Sequence, residues 1–139
     1  MSHPRLLLAD DHADCRTQLR HLLESDFDVI ADVPDGFALV VAAQRLSPDV
    51  IVTDISMPGL DGITAAKVIL RGNPAIRVVF VTMHGDPALV QRGLSAGAQG
   101  YVLKHFAGDE LVPAVHSALR GERHVSGLPV WQNDAPKAL

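Results

Sequence analysis

Aromatic residues are scarce in this chain: four Phe, one Tyr and one Trp among 139 positions, or 4%. A core must therefore be aliphatic, and the 47% hydrophobic content supplies it for one domain of ordinary size, with little length left for a second. Cysteine is almost absent. Cys15 alone excludes an intrachain disulfide, and no spacing of Cys with His resembles a zinc site, which is consistent with a reducing compartment. Long apolar runs are missing too: the longest covers 37–43, far short of the roughly 20 residues that span a bilayer. Pro4 and Arg5 stand where a signal peptide needs its apolar stretch, so a cytoplasmic location is expected and no membrane contact. Nor is there a basic excess. Lys and Arg number 12 against 16 Asp and Glu, a net charge of -4, the wrong sign for a chain that grips nucleic acid through phosphates.

What the sequence does contain is alternation. Apolar, β-branched-rich runs at 6–9, 29–33, 50–53, 76–82 and 100–103 read as strands, and the stretches between them carry helical spacing, as at Leu19, Leu22 and Leu23 or Leu39, Val40, Ala43 and Leu46. Asp61 and Asp86 suit helix starts, Pro87 a first turn, and Gly72, Gly97 and Gly121 helix ends; Pro113 is expected near the start of the last helix. Strands that are apolar throughout are buried on both faces, and strands separated by helices are parallel. The expected fold class is therefore α/β, an open (βα)5 doubly wound parallel sheet. The alternation spans 1–124, and 125–139, with two prolines and no sustained period, reads as a linker or tail.

In such a sheet, ligands bind outside the carboxyl ends of the strands. Asp10 and Asp11 follow the first run, Asp54 the third, Thr82 ends the fourth and Lys104 follows the fifth. One acidic residue at a strand end is commonly a cap or a solvated loop residue. Three on one rim repel one another unless a cation neutralises them, and oxygen ligands without clustered His or Cys favour a hard ion, Mg2+ before Ca2+. Lys104 taken alone is equally well a salt-bridge partner, and Thr82 a strand-terminal β-former. Beside a metal and a carboxylate nucleophile, an ammonium and a hydroxyl are what a transferring phosphoryl group needs.

The motifs Leu-Leu-Leu-Ala-Asp-Asp at 6–11, Val-Thr-Asp-Ile-Ser-Met-Pro-Gly-Leu-Asp-Gly at 52–62, Val-Thr at 81–82 and Gly-Tyr-Val-Leu-Lys at 100–104 strongly resemble the receiver domain of bacterial response regulators over residues 5–124. That resemblance implies a CheY-like, flavodoxin-like fold with strand order 2-1-3-4-5. It implies that Asp54 is the phosphoacceptor and that Asp10, Asp11, Asp54 and the backbone carbonyl of Ser56 organise Mg2+. Thr82 and Lys104 are then the phosphoryl contacts, with Thr82 and Tyr101 as the switch pair. It further implies a sensor histidine kinase as partner and a surface built from the fourth helix, fifth strand and fifth helix that changes on phosphorylation and pairs two copies. Segments 95–104 and 119–126 are similar to the NarL/FixJ subgroup, whose receivers usually precede a helix-turn-helix domain. The chain is accordingly read as a receiver from a longer transcription regulator that meets DNA through that missing domain, the alternative being a stand-alone form. Two departures from the common pattern are His105 after Lys104 and Met83-His84 after Thr82.

Other functions fit these residues less well. A haloacid-dehalogenase-type phosphatase places an Asp two positions after its nucleophile, where this chain has Ser56; a flavin carrier has a hydroxyl-rich loop after the first strand, where Asp10-Asp11 would repel phosphate. A degenerate, binding-only receiver would have lost a site residue, and none is lost. The expected output is thus a switch and not turnover. His12 is read as a surface group, with proton donor or ligand as the lesser reading, Cys15 as packing, and Met57 as shaping the loop beside Asp54; Trp131 is left open between anchor and exposed tail residue.

Overall fold

The computed structural model describes residues 3–126. The chain runs β1 (Arg5–Ala9), α1 (Ala13–Leu23), β2 (Asp28–Val33), α2 (Gly36–Leu46), β3 (Val50–Thr53), α3 (Gly62–Gly72), β4 (Arg77–Thr82), α4 (Pro87–Ser95), β5 (Gly100–Leu103), a 3-10 turn (Lys104–Phe106), α5 (Ala107–Leu119) and β6 (His124–Val125). The strands form one parallel sheet in the order β2-β1-β3-β4-β5-β6, so the expected 2-1-3-4-5 order holds with a short sixth strand added beside β5.

Successive strand side chains point to opposite faces, which is why a wholly apolar strand feeds two cores. Leu6 and Leu8 pack with Leu19, Leu23, Leu111 and Val115 from α1 and α5. Leu7 and Ala9 pack on the other face with Leu39, Ile63 and Val90 from α2, α3 and α4. Of the acids expected at helix starts, Asp61 caps α3, accepting from Thr64 N at 2.9 Å; Asp35, which the sequence reading did not name, caps α2, accepting from Ala38 N at 2.8 Å. Asp86 stands at the N-cap of α4 ahead of Pro87 but makes no side-chain cap bond. Pro113, expected near the start of the last helix, lies instead in the middle of α5, which begins at Ala107, and is exposed.

Two details position the site. Gly62 at the start of α3 lies so close to the end of β3 that an added Cβ would be 2.0 Å from the Asp54 carbonyl oxygen; only glycine lets α3 seat there. The chain assigned to a linker from 125 onward begins as structure: Val125 pairs with Tyr101 in β6 and Ser126 is buried. Two strand residues are too few to show a period, which is why they read as tail. Trp131 and the rest of 127–139 lie outside the described residues.

Candidate functional site

Parallel strands of similar length end on one rim, and the residues that follow β1, β3 and β5 meet there. Asp54 follows β3 with only 5% of its surface exposed. Its Oδ1 accepts the backbone N–H of Ile55 at 2.7 Å and its Oδ2 accepts from Lys104 Nζ at 2.8 Å. Asp10 is fully buried after β1, and its Oδ2 lies 2.9 Å from the same ammonium. One lysine thus bridges two buried carboxylates. Burial opposes the charge on Lys104, but its hydrogen bond to Asp54 and its close contact with the negatively charged Asp10 outweigh it and raise its pKa above the ordinary lysine value.

The acids are not fully satisfied by protein. Asp10 Oδ1 accepts from His12 N at 2.9 Å, whereas the Lys104 contact on Oδ2 is an ion pair without hydrogen-bond alignment. Asp11 Oδ1 is buried without an aligned hydrogen bond, its nearest polar neighbour being the His12 ring Nδ1 at 3.2 Å. Among the described residues, Asp10, Asp11 and His12 offer ligand atoms within 4.8 Å of one another. Adjacent carboxylates with buried oxygens that make no aligned hydrogen bond fit a hard divalent cation. Asp11 and Ser56 line one cleft of about 650 Å³ together with Met57, Asp61 and Arg92. The His12 side chain is 74% exposed, which agrees with its reading as a surface group. Burial, with the Asp10 carboxylate beside it, pushes the Cys15 thiol up, so Cys15 is no poised nucleophile.

Thr82 and Tyr101 are both fully buried and meet through a residue the sequence reading did not assign to the site. His84 donates its N–H to Thr82 Oγ1 at 3.3 Å, and its carbonyl accepts from the Tyr101 hydroxyl at 2.6 Å. Burial, then the negative charges of Asp86 and Asp54, raise the Tyr101 pKa, keeping the phenol a donor. Gly93 of α4 lies against Phe80, to whose ring an added Cβ would come within 3.1 Å, with Tyr101 at ordinary contact distance beside it. Tyr101 is packed inward in this structure, with Asp54 paired to Lys104.

Arg16 was also missed. Its Nη1 donates to the Asp10 carbonyl at 2.7 Å and its Nε to Asp32 at 3.1 Å, tying β1 to β2 beneath the acid pair. The six-residue offset from Asp10 crosses a loop and a helix turn, and no periodicity announces it.

The family description "response regulator receiver domain" matches residues 6–116. The chain belongs to that family. Receiver domains bind Mg2+ at an acidic pocket, in keeping with the donor-poor carboxylates of Asp10 and Asp11. This receiver is 37% identical over 120 residues to the uncharacterized transcriptional regulatory protein YxjL of Bacillus subtilis, covering 85% of this chain and 55% of that protein. It is similar to a two-component response regulator of the LuxR family from Aurantimonas, with TM-score 0.88, 33% identity and 99% of each chain covered. The isolated receiver domain of RcsB from Salmonella enterica, solved with the phosphomimetic beryllofluoride, has TM-score 0.82 and 30% identity over 91% of this chain and 95% of that one. The receiver spans about half the length of the curated transcriptional regulators it matches. Domains of this family are generally not turnover enzymes, and no helix among the described residues is long and apolar enough to cross a membrane.

Proposed function

We propose that this receiver accepts a phosphoryl group on Asp54 from a phosphohistidine of a sensor histidine kinase and works as a cytoplasmic switch. An Asp54 oxygen attacks phosphorus; the O–P bond forms as the P–N bond breaks, and the bond pair stays on the imidazole nitrogen. Lys104 leaves its pairing with the Asp54 carboxylate to neutralise an equatorial phosphoryl oxygen, and the Thr82 hydroxyl donates to another. Asp10, Asp11, Asp54 and the Ser56 carbonyl would hold Mg2+, which supplies neutralising charge. The observation that carries this reading is the ammonium of Lys104 placed 2.8 Å from Asp54 and 2.9 Å from Asp10, already beside the nucleophile.

Output follows by population shift. Recruitment of the Thr82 hydroxyl as a donor moves the oxygen that accepts the His84 N–H, and the His84 carbonyl in turn holds Tyr101, so the phosphoryl group and the α4-β5-α5 face share one short chain of contacts. That face spans 88–96, 99–103 and 109–119, and its strand is bordered by β6. Phosphorylation then favours pairing of two copies, and the similar transcriptional regulators of about twice the length support a DNA-binding domain as the effector. Intact-mass measurement after acetyl phosphate tests the chemistry. One phosphoryl group should add with Mg2+, none with EDTA and none in Asp54→Asn; an unchanged mass with Mg2+, or full labelling of Asp54→Asn, overturns the assignment. Sedimentation velocity with beryllofluoride tests the pairing, and identical profiles across concentration would leave hetero-association as the output.

A further inference from the structure

Lys104 can serve Asp54 only if the end of β5 holds its backbone in place, and that end is finished by a residue from outside the five-strand unit. β6 lies along the outer edge of β5: His124 N donates to Gln99 O at 3.0 Å and Ser126 N to Tyr101 O at 2.8 Å. A parallel strand that continued would next offer a backbone carbonyl to the N–H of Leu103. Instead the Ser126 side chain takes that place, its Oγ accepting from Leu103 N at 2.8 Å. Ser126 is 3% exposed, one of few buried polar residues away from the acid cluster, and Val125 beside it is packed into the core face that holds Tyr101. His124 Nε2 lies 3.0 Å from Glu110 Oε1, fastening the other end of the segment to α5.

We propose that Ser126 is a positioning residue for Lys104, so that the chain leaving the domain is tied to the chemistry at Asp54; the proposal rests on Asp54 being the phosphoacceptor. Leu103 immediately precedes Lys104 and adjoins the 3-10 turn that aims the lysine inward. The Leu103 amide is thus held from one side by Ser126, while the next residue is held from the other by Asp10 and Asp54. When a phosphoryl group draws Lys104 off the Asp54 carboxylate, the shift is felt first at the Leu103 peptide. Coupling between two sites is reciprocal, so whatever loosens Ser126 also changes how well Lys104 meets the phosphoryl group.

The test uses the full 139-residue chain with acetyl phosphate and Mg2+. Ser126→Ala should slow labelling of Asp54 by about tenfold, since small misplacements of a catalytic group carry large rate penalties. Ser126→Thr, which keeps the hydroxyl, should restore the rate to near the wild-type value. His124→Ala weakens the strand without touching the Leu103 amide and should leave the rate close to wild type, which a merely structural role would not predict. Labelling of folded Ser126→Ala at the wild-type rate rejects the proposal, as does equal slowing by His124→Ala. A wild-type chain that is not labelled at all rejects the Asp54 reading instead. Should Ser126→Ala not fold, amide spectra of the wild-type chain decide: the Leu103 and Ser126 resonances must shift when beryllofluoride loads Asp54, and unmoved resonances overturn the coupling.

Discussion

The two rims of the sheet carry the same kinds of side chain and do opposite things with them. At the amino ends of the strands, Arg5 donates its backbone N–H to Asp49 at 2.8 Å and its guanidinium to the Ser47 carbonyl at 2.9 Å, and His3 meets the Asp26 carbonyl at 2.8 Å, all exposed. At the carboxyl ends, Asp10, Asp54 and Lys104 are paired in near-complete burial, and buried oxygens on Asp10 and Asp11 make no aligned hydrogen bond. Each rim has a cleft of comparable size, about 540 Å³ at one end and about 650 Å³ at the other. Size therefore does not distinguish them. What distinguishes the carboxyl rim is charge held out of water with unmet valence, a state that costs stability and persists where a ligand completes it.

The sharpest way to break this comparison is to remove one partner at each rim. Lys104→Met leaves two buried carboxylates without their cation and should destabilise the domain by about 3 kcal/mol in urea unfolding. Asp49→Ala, at the exposed rim, should change stability by less than about 1 kcal/mol. Equal effects would mean that the two rims differ in appearance only.

A smaller effect is expected from metal. Mg2+ at tenfold over its dissociation constant should stabilise the wild-type chain by about 1.4 kcal/mol, and Asp11→Ala should lose that gain. Calorimetry that finds normal Mg2+ binding in Asp11→Ala would remove the donor-poor carboxylate from the site.

The pH dependence sharpens the contrast further. Lys104 has its pKa raised above the unfolded value of 10.5, so its contribution is fully present below 10.5 and declines only as pH climbs beyond it. Thermal melts of wild type and Lys104→Met should accordingly keep a constant gap between pH 6 and pH 9. Asp26, at the other end of the molecule, is held below its ordinary 3.8 first by a hydrogen bond from His116. Its stabilisation is present above 3.8 and is lost as pH falls through the depressed folded value. The exposed pair should give the smallest effect of all, seen as a slightly shallower acid limb in melts of His116→Ala; an identical limb would deny the pair any role.

Sequence reading reached the five longer strands because each carries an aliphatic run, continuous and buried on both faces in β1, β3, β4 and β5 though only partly buried in the edge strand β2, and Asp10, Asp11, Asp54, Thr82 and Lys104 were singled out because strand ends converge in a parallel sheet. Position after a strand is a one-dimensional fact with a three-dimensional consequence. The aspartate caps at Asp35 and Asp61 are local as well, settled within four residues of chain. Only the tertiary structure decided which groups actually touch. That Lys104 bridges Asp10 and Asp54, that His84 links Thr82 to Tyr101 through its backbone, that Arg16 joins the Asp10 carbonyl to Asp32, and that Ser126 caps the Leu103 amide all depend on distances between different elements of the fold. Backbone carbonyls and amides carry no residue identity, and a two-residue strand carries no period, so such contacts leave no trace in the order of amino acids; they exist once packing has brought the segments together.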